Sequence, residues 1–282
     1  MIFVVRHGER ADNAGPEEQK KIEIPFDPHL TELGKIQAKL AGEYIRNRVE
    51  KASESNNIKA DHVKYLIVSS PFLRCLQTAY NISLAFNPNQ IEGNQIYAEN
   101  SICELLMTTY FPDSNPLPDL YLRKKPEEFK SLVPYPVQDG LVEPNKHLST
   151  PVFPETIQKL QYRYELYEEI VKYYQKEKNK DGNVVMILVT HGYGIQAILE
   201  GLNSFDIYKG VEYTSVSEIV PNFDGKGVTK VTEGQVHAHL TKADEVYANT
   251  MLKDKVWSFL IRINRFLILY DLILYKSLTM YV

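Results

Sequence analysis

The chain has 282 residues, 44% of them apolar, with a formal net charge of −4 and a pI of about 6.0. That composition supports one large or two small globular domains with a real core. It excludes a global basic field of the kind that holds nucleic acid. The two cysteines, Cys75 and Cys103, make no disulfide framework and point to a reducing compartment. Chemistry-bearing residues begin at once, with no basic, apolar leader and small-residue cleavage site before them, so a cytoplasmic location is expected.

Ile2 to Val5 are four apolar residues, three of them β-branched, which suits a buried strand. Arg6-His7-Gly8-Glu9-Arg10 follows directly, so a basic residue and a histidine reach the carboxyl end of the strand where Gly8 lets the chain turn. Open α/β sheets bind ligands at that edge. Residues 10–30 are polar and hold Gly15, Pro16, Pro25 and Pro28, which reads as a long loop. Thr31 looks like an N-cap, and Leu33, Ile36, Leu40, Tyr44 and Ile45 at helical spacing predict a helix from about residue 31 to 51. Lys64 to Ser70 predicts a second buried strand. Pro71 then serves as the first residue of a helix that runs to about Phe86 and carries Arg74 in its first turn. The positive end of that helix and the guanidinium together make an anion site.

Gln95 to Glu99 predicts a short strand leading into Ile102-Cys103-Glu104. Nine of the fifteen prolines fall between residues 110 and 154, interleaved with Tyr110, Phe111, Tyr121, Phe129, Tyr135 and Phe153. This stretch predicts an ordered, proline-stiffened cap inserted at about 105–154. A long helix is expected from Pro154 to about Lys178 and a strong strand from Val184 to Val189. Thr190-His191-Gly192 then repeats the strand-end His-Gly of the opening. A further helix is expected over 195–202, with edge strands over 216–220 and 228–236. The alternation predicts a three-layer α/β/α sandwich with a mostly parallel central sheet. The main domain is expected over residues 1–250.

Residues 251–282 read as an apolar helical tail. From Val256 onward it is rich in Trp, Phe, Leu, Ile and Tyr, yet Arg262, Asn264, Arg265, Asp271 and Lys276 interrupt it, which argues against a simple bilayer span. Besides a tail with no packed role, two readings stay open. One is a docking or self-association helix that would support a homodimer. The other is a helix lying in a membrane interface, with Ser258, Arg262, Arg265 and Lys276 on one face.

The strand ends can bring Arg6, His7, Arg74 and His191 to one point. Two arginines and two histidines there suit a phosphate pocket, because a phosphomonoester carries roughly −1.5 to −2 charge at neutral pH and guanidinium meets it with forked, charge-assisted hydrogen bonds. A neutral histidine in that cage can attack phosphorus. The second histidine, expected to be protonated, would stabilise developing oxygen charge. The leaving oxygen needs a proton, and Glu104 is the expected donor.

VVRHGER at 4–10, LTELGKIQAKLAG at 30–42, SSPFLRCLQTA at 69–79, ICE at 102–104 and VTHG at 189–192 together resemble the histidine phosphatase superfamily, whose fold is called phosphoglycerate mutase-like. The resemblance implies that His7 is the nucleophile and forms a phosphohistidine. Arg6, Arg74 and His191 would bind the phosphoryl group, and Glu104 would act as acid and then base. It implies no metal and no cofactor. Arg10, in the form RHGER, together with SPFLRCLQTA and PETIQKLQYR at 154–163, is similar to the phosphatase domain of the ubiquitin-associated and SH3 domain-containing proteins that suppress T-cell receptor signalling. There the second arginine also lines the phosphate site.

A phosphoglycerate mutase would carry an asparagine-rich, tryptophan-containing run after RHGE and Asn-Ser after the second HG. This chain has neither, and reads Tyr193-Gly194 at the latter place. The expected substrate is therefore a phosphorylated small molecule or a phosphoprotein, hydrolysed rather than isomerised. The non-enzyme alternative is a catalytically weak phospho-ligand-binding or scaffold protein. A metal hydrolase using His7, His191 and Glu104 as ligands is disfavoured by the two arginines beside them.

Overall fold

The computed structural model describes residues 1–55, 60–140, 151–156, 170–173, 183–201, 211–220, 230–236 and 242–248. Seven strands form one sheet: β1 (Ile2–Arg6), β2 (Lys64–Ser69), β3 (Ile91–Ala98), β4 (Val137–Asp139), β5 (Val184–Thr190), β6 (Val216–Val220) and β7 (Lys230–Val236). Their spatial order is β4-β3-β2-β5-β1-β6-β7. The pairings from β4 through β1 are all parallel, and β6 and β7 are added antiparallel at the β1 side.

The apolar runs of the inner strands are continuous because both sheet faces are covered. After β1 the chain makes a short α-helix, α1 (Pro16–Gln19). Phe3, Val5, Ile67, Ile187 and Val189 point to one side, where they meet α2 (Glu32–Ser55) through Ala38, Ala41, Ile45 and Val49, and α3 (Leu73–Ser83) through Leu76, Ala79 and Ile82. Ile2, Val4, Leu66, Val68, Met186 and Leu188 point to the other side, against Ile170, Val171 and the Ile195, Ile198 and Leu199 face of a helix at Gly192–Gly201. This is the expected three-layer α/β/α arrangement. Each fully buried large apolar side chain contributes roughly 1.5–3 kcal/mol.

The chain leaves β1 toward one face and β5 toward the other. Their adjacent carboxyl ends therefore border the crevice where open α/β sheets receive ligands.

Several boundaries differ from the sequence-based expectation. The helix after β2 begins at Leu73 rather than Pro71, because Phe72 stays extended (φ −66°, ψ 138°) as its N-cap. The helix after β5 begins at Gly192 rather than Ile195, with Ile195 N donating to the His191 carbonyl. Residues 216–220 are not an edge strand, since β6 lies between β1 and β7. Within the proline-rich stretch, two short helices, α4 (Tyr121–Lys124) and α5 (Pro126–Leu132), precede β4, and β4 joins the central sheet beside β3. Residues 154–156 are not helical, and most of the helix expected over 154–178 lies outside the described residues, as do 141–150 and the tail at 251–282. Among the described residues, no helix is long and apolar enough to cross a membrane.

The loop after β1 and the start of α2 are locked together. Thr31 Oγ1 accepts the Gly34 N–H at 2.9 Å, a true N-cap, and donates to Glu9 Oε2 at 2.6 Å. A Cβ at Gly8 would stand 2.5 Å from the Gly34 carbonyl oxygen. One at Gly34 would collide with the Glu9 carbonyl oxygen and sit 2.9 Å from Glu9 N. Alanine at 34 gains about 1 kcal/mol of helix propensity, but the collision is with backbone and cannot be relieved by a rotamer. Gly34→Ala is therefore expected to lower stability by about 2–3 kcal/mol net, read as a lower urea midpoint at unchanged m-value.

Candidate active site

The parallel ladder carries the strand-end residues to one place. Arg6 pairs in register with Thr190, His7 N donates to the Thr190 carbonyl at 3.0 Å, and Ser70 N donates to the Val189 carbonyl at 2.8 Å. Glu99 N donates to the Ser69 carbonyl at 2.7 Å. Thr190 Oγ1 donates to the Ile102 carbonyl at 2.7 Å, which ties the Glu104 loop to β5. The structure thus brings Arg6, His7, Arg10, Arg74 and Glu104 into the lining of one cleft of about 610 Å³, and His191 lies directly beneath them. Pro25, Phe26, Pro28, Tyr110, Phe111 and Tyr193 supply its apolar and aromatic rim.

His7 is 2% exposed. Its Nδ1 lies 2.8 Å from the Gly8 carbonyl oxygen, an acceptor, so Nδ1 carries the proton and Nε2 keeps its lone pair. Burial, reinforced first by the positive charge of Arg74 and also by that of Arg6, holds its pKa well below the ordinary 6.5. The ring is neutral near pH 7.

His191 is fully buried. Its Nδ1 stands 3.1 Å from Glu104 Oε2 and its Nε2 is 2.8 Å from Ser70 Oγ. The expectation of a protonated second histidine is corrected here. Burial, helped by the Arg74 charge and only partly opposed by Glu104, brings its pKa down to about 4. A neutral ring that donates Nδ1–H to Glu104 and accepts from the Ser70 hydroxyl satisfies both nitrogens. Cys75, beside Arg74, is a buried thiol with its Sγ 3.4 Å from His191 Nε2, and burial raises its pKa. It packs as a small core residue.

Glu104 is ionised. Burial pushes its pKa up, but the interactions with His191, then Arg74 and His7, outweigh this and hold it well below the ordinary carboxylate value. Arg74 Nη2 lies 3.3 Å from Glu104 Oε2. Arg10 is bound through Nε and Nη2 to Asp12, so it enters the cleft as half of an ion pair. Arg6 Nε and Arg74 Nε are both buried without a hydrogen-bond partner. A buried guanidinium N–H left unpaired costs free energy, and two of them beside a neutral histidine make a site built for an anionic acceptor.

Supporting residues escaped the sequence reading. Thr78 Oγ1 accepts from Gly8 N at 3.0 Å and donates to the Arg74 carbonyl at 2.7 Å, joining α3 to the loop after β1. Asp27 is fully buried. Its two oxygens accept the Leu73 N–H at 2.7 Å and the Tyr121 N–H at 3.0 Å, so it caps α3 from a distant loop and holds the rim. Burial dominates over these bonds and lifts its pKa to about 6. The only local signal was an acid inside the Pro25–Pro28 bracket. Asp27→Ala leaves two buried N–H groups unsatisfied, at about 1–3 kcal/mol each. Thermal or urea unfolding is expected to show a loss of about 3 kcal/mol, together with a raised KM for any phosphorylated substrate, because α3 carries Arg74.

Residues 2–96 match the model of the histidine phosphatase superfamily (branch 1). No curated protein sequence matches the chain. Among solved structures, a phosphoglycerate mutase from Bacillus anthracis str. Sterne superposes with a TM-score of 0.51 at 19% identity, covering 86% of this chain and 96% of that one. A protein titled Mycobacterial hydrolase 1 gives 0.50 at 16% identity, over 84% and 98%. The ecdysone phosphate phosphatase of Bombix mori gives 0.49 at 18% identity, over 78% and 88%. The chain therefore has the phosphoglycerate mutase-like fold, and the third of it that carries Arg6, His7 and Arg74 matches branch 1 of the histidine phosphatase superfamily.

Proposed function

We propose that the protein is a phosphomonoesterase that works without a metal through a phosphohistidine on His7. The observation that carries this reading is the convergence of Arg6, Arg10 and Arg74 on the lining of one cleft beside a neutral His7 whose Nε2 is unprotonated, with the buried Nε donors of Arg6 and Arg74 lacking a hydrogen-bond partner. The phosphoryl oxygens take those donors, the backbone at the start of the Gly192–Gly201 helix favours the same negative charge, and Arg10 adds charge from the rim. His7 Nε2 attacks phosphorus, the P–N bond forms as the P–O bond breaks, and Glu104 gives its proton to the leaving oxygen. In the second half Glu104 takes a proton from water, the oxygen attacks phosphorus, and Nε2 leaves with its electron pair.

Glu104 is ionised at rest, so its proton arrives with the substrate. A bound phosphoryl group draws Arg74 and His191 away from the carboxylate and adds negative charge beside it, and both effects raise its proton affinity. The positive charges of Arg6 and Arg74 disfavour a divalent cation beside His7, His191 and Glu104. The rim of Pro25, Phe26, Tyr110, Phe111 and Tyr193 suits a flat or apolar leaving group.

The test is a quench in alkaline denaturant of the enzyme during turnover of a 32P-labelled aryl phosphate, in EDTA. Protein-bound label that is labile to acid and stable to alkali is expected. Turnover that collapses in EDTA would return the metal reading. Neither label nor phosphate release from pH 4 to 8 would leave a phospho-ligand-binding protein.

A further inference from the structure

Resting on the phosphomonoesterase reading above, we propose that Tyr213 is the positioning residue for Arg6, holding its guanidinium so that the Nε edge faces the phosphoryl group. The Arg6 Cζ lies 4.4 Å from the centroid of the Tyr213 ring, within cation–π range. On its other side Arg6 Nη1 donates to the Val211 carbonyl. These two contacts come from one short segment and fix the plane of the guanidinium. They leave Nε buried and unpartnered, facing Gly192 at the start of the helix, where an added Cβ would stand 3.9 Å from it. The same Tyr213 ring is 5.8 Å from the His7 ring, and its hydroxyl takes the Asn13 Nδ2–H at 2.5 Å, which pins it from the loop after β1.

The backbone around Tyr213 is held in an unfavourable shape to achieve this. Ser215 N donates to the Glu212 carbonyl at 3.2 Å, closing a turn with Tyr213 and Thr214 at its centre. Thr214 has φ +51° at the second central position, where glycine is the usual residue, and it is buried and β-branched. Such strain persists where the surroundings over-determine it, and it clusters at functional sites. Here Thr214 N donates to the His7 carbonyl at 3.2 Å and Arg6 N donates to the Ser215 carbonyl at 3.2 Å, so the turn is bolted to the residues it would position.

Steady-state kinetics with an aryl phosphate and calorimetric titration with inorganic phosphate test this on the full chain. The variants are Tyr213→Leu, Tyr213→Gln and Tyr213→Phe, each with its thermal transition measured. Gln keeps an acceptor for Asn13 and loses the ring, so it stands in if Leu fails to fold. Both ringless variants are expected to raise KM and the phosphate Kd about tenfold, with kcat changed less than about twofold, and Phe is expected to restore the low values. In an Arg6→Lys background the Leu change is expected to have no further effect on Kd, since the two act as one unit. Ringless variants with wild-type KM and Kd, in an enzyme that hydrolyses the aryl phosphate, would overturn the role of Tyr213 alone. A wild-type protein that binds phosphate without turnover leaves the Kd comparison decisive. One that neither binds phosphate nor hydrolyses the ester overturns both readings.

Discussion

His7→Ala is expected to lower kcat on an aryl phosphate by on the order of 10⁴–10⁶-fold, the scale seen when a nucleophile is removed from a covalent mechanism, and to abolish the trapped label. The loss is chemical rather than structural. Among the described residues the ring makes one hydrogen bond, to the carbonyl of its own neighbour Gly8, while the ladder that holds the strand end runs through the His7 backbone. The variant should therefore keep its cooperative unfolding transition and still bind inorganic phosphate. Retained turnover would mean that water attacks phosphorus directly. The pH dependence of the wild type carries the same signature. A histidine whose folded pKa lies below 6.5 takes up its proton later in the native state than in the unfolded one. The two buried histidines thus support the fold fully above about pH 6.5, and stability falls as the pH drops below it. His7 keeps its lone pair at neutral pH, so the acid limb of kcat/KM attributable to it should lie below 6.5.

Glu104→Gln is expected to cost roughly 10²–10⁴-fold on an alkyl phosphate and at most about tenfold on p-nitrophenyl phosphate. The contrast follows from the proton. An alkoxide leaves poorly without one, whereas nitrophenolate needs little help. Glutamine preserves an acceptor for the His191 Nδ1–H, so the cluster under the site should survive. It also removes the carboxylate that Arg74 faces at 3.3 Å, leaving that arginine to the substrate alone. A lower KM accompanying the fall in kcat would fit that trade. Equal losses on both esters would move the acid elsewhere, and Asp12, which lines the same cleft, is then the next carboxylate to test.

The parts of this site that were legible in the sequence are those written locally. An apolar run followed by Arg-His-Gly or Thr-His-Gly announces a strand end, and Thr31 three residues before Gly34 announces a helix start. What was hidden depends on partners far apart in the chain. Asp27 reaches Leu73 and Tyr121, Ser70 meets His191, and Arg6 meets Tyr213. No spacing rule links positions separated by dozens to hundreds of residues. Protonation states were hidden for the same reason. Two histidines and two arginines at a sheet edge suggest a charged cage, but only the depth of burial shows that both rings are neutral, and only the contacts with His191 and Arg74 show that Glu104 is not. Helix starts at Leu73 and Gly192 were misjudged by two or three residues because the capping groups are an extended Phe72 and the His191 carbonyl rather than a side-chain signal.

The placement of β5 has a consequence for how the molecule assembles. β1 and β2 are separated by 57 residues yet do not touch as neighbours; the strand between them is not made until residue 190. During synthesis their apolar edges remain unmatched while more than a hundred further residues are added. Both edges are then closed in one event, when β5 slides between them and delivers His191 to His7. Such non-local closure is slow and leaves exposed strand edges open to wrong pairings. Refolding should accordingly be limited by the docking of β5, and stopped-flow refolding should show no activity in any species that precedes it.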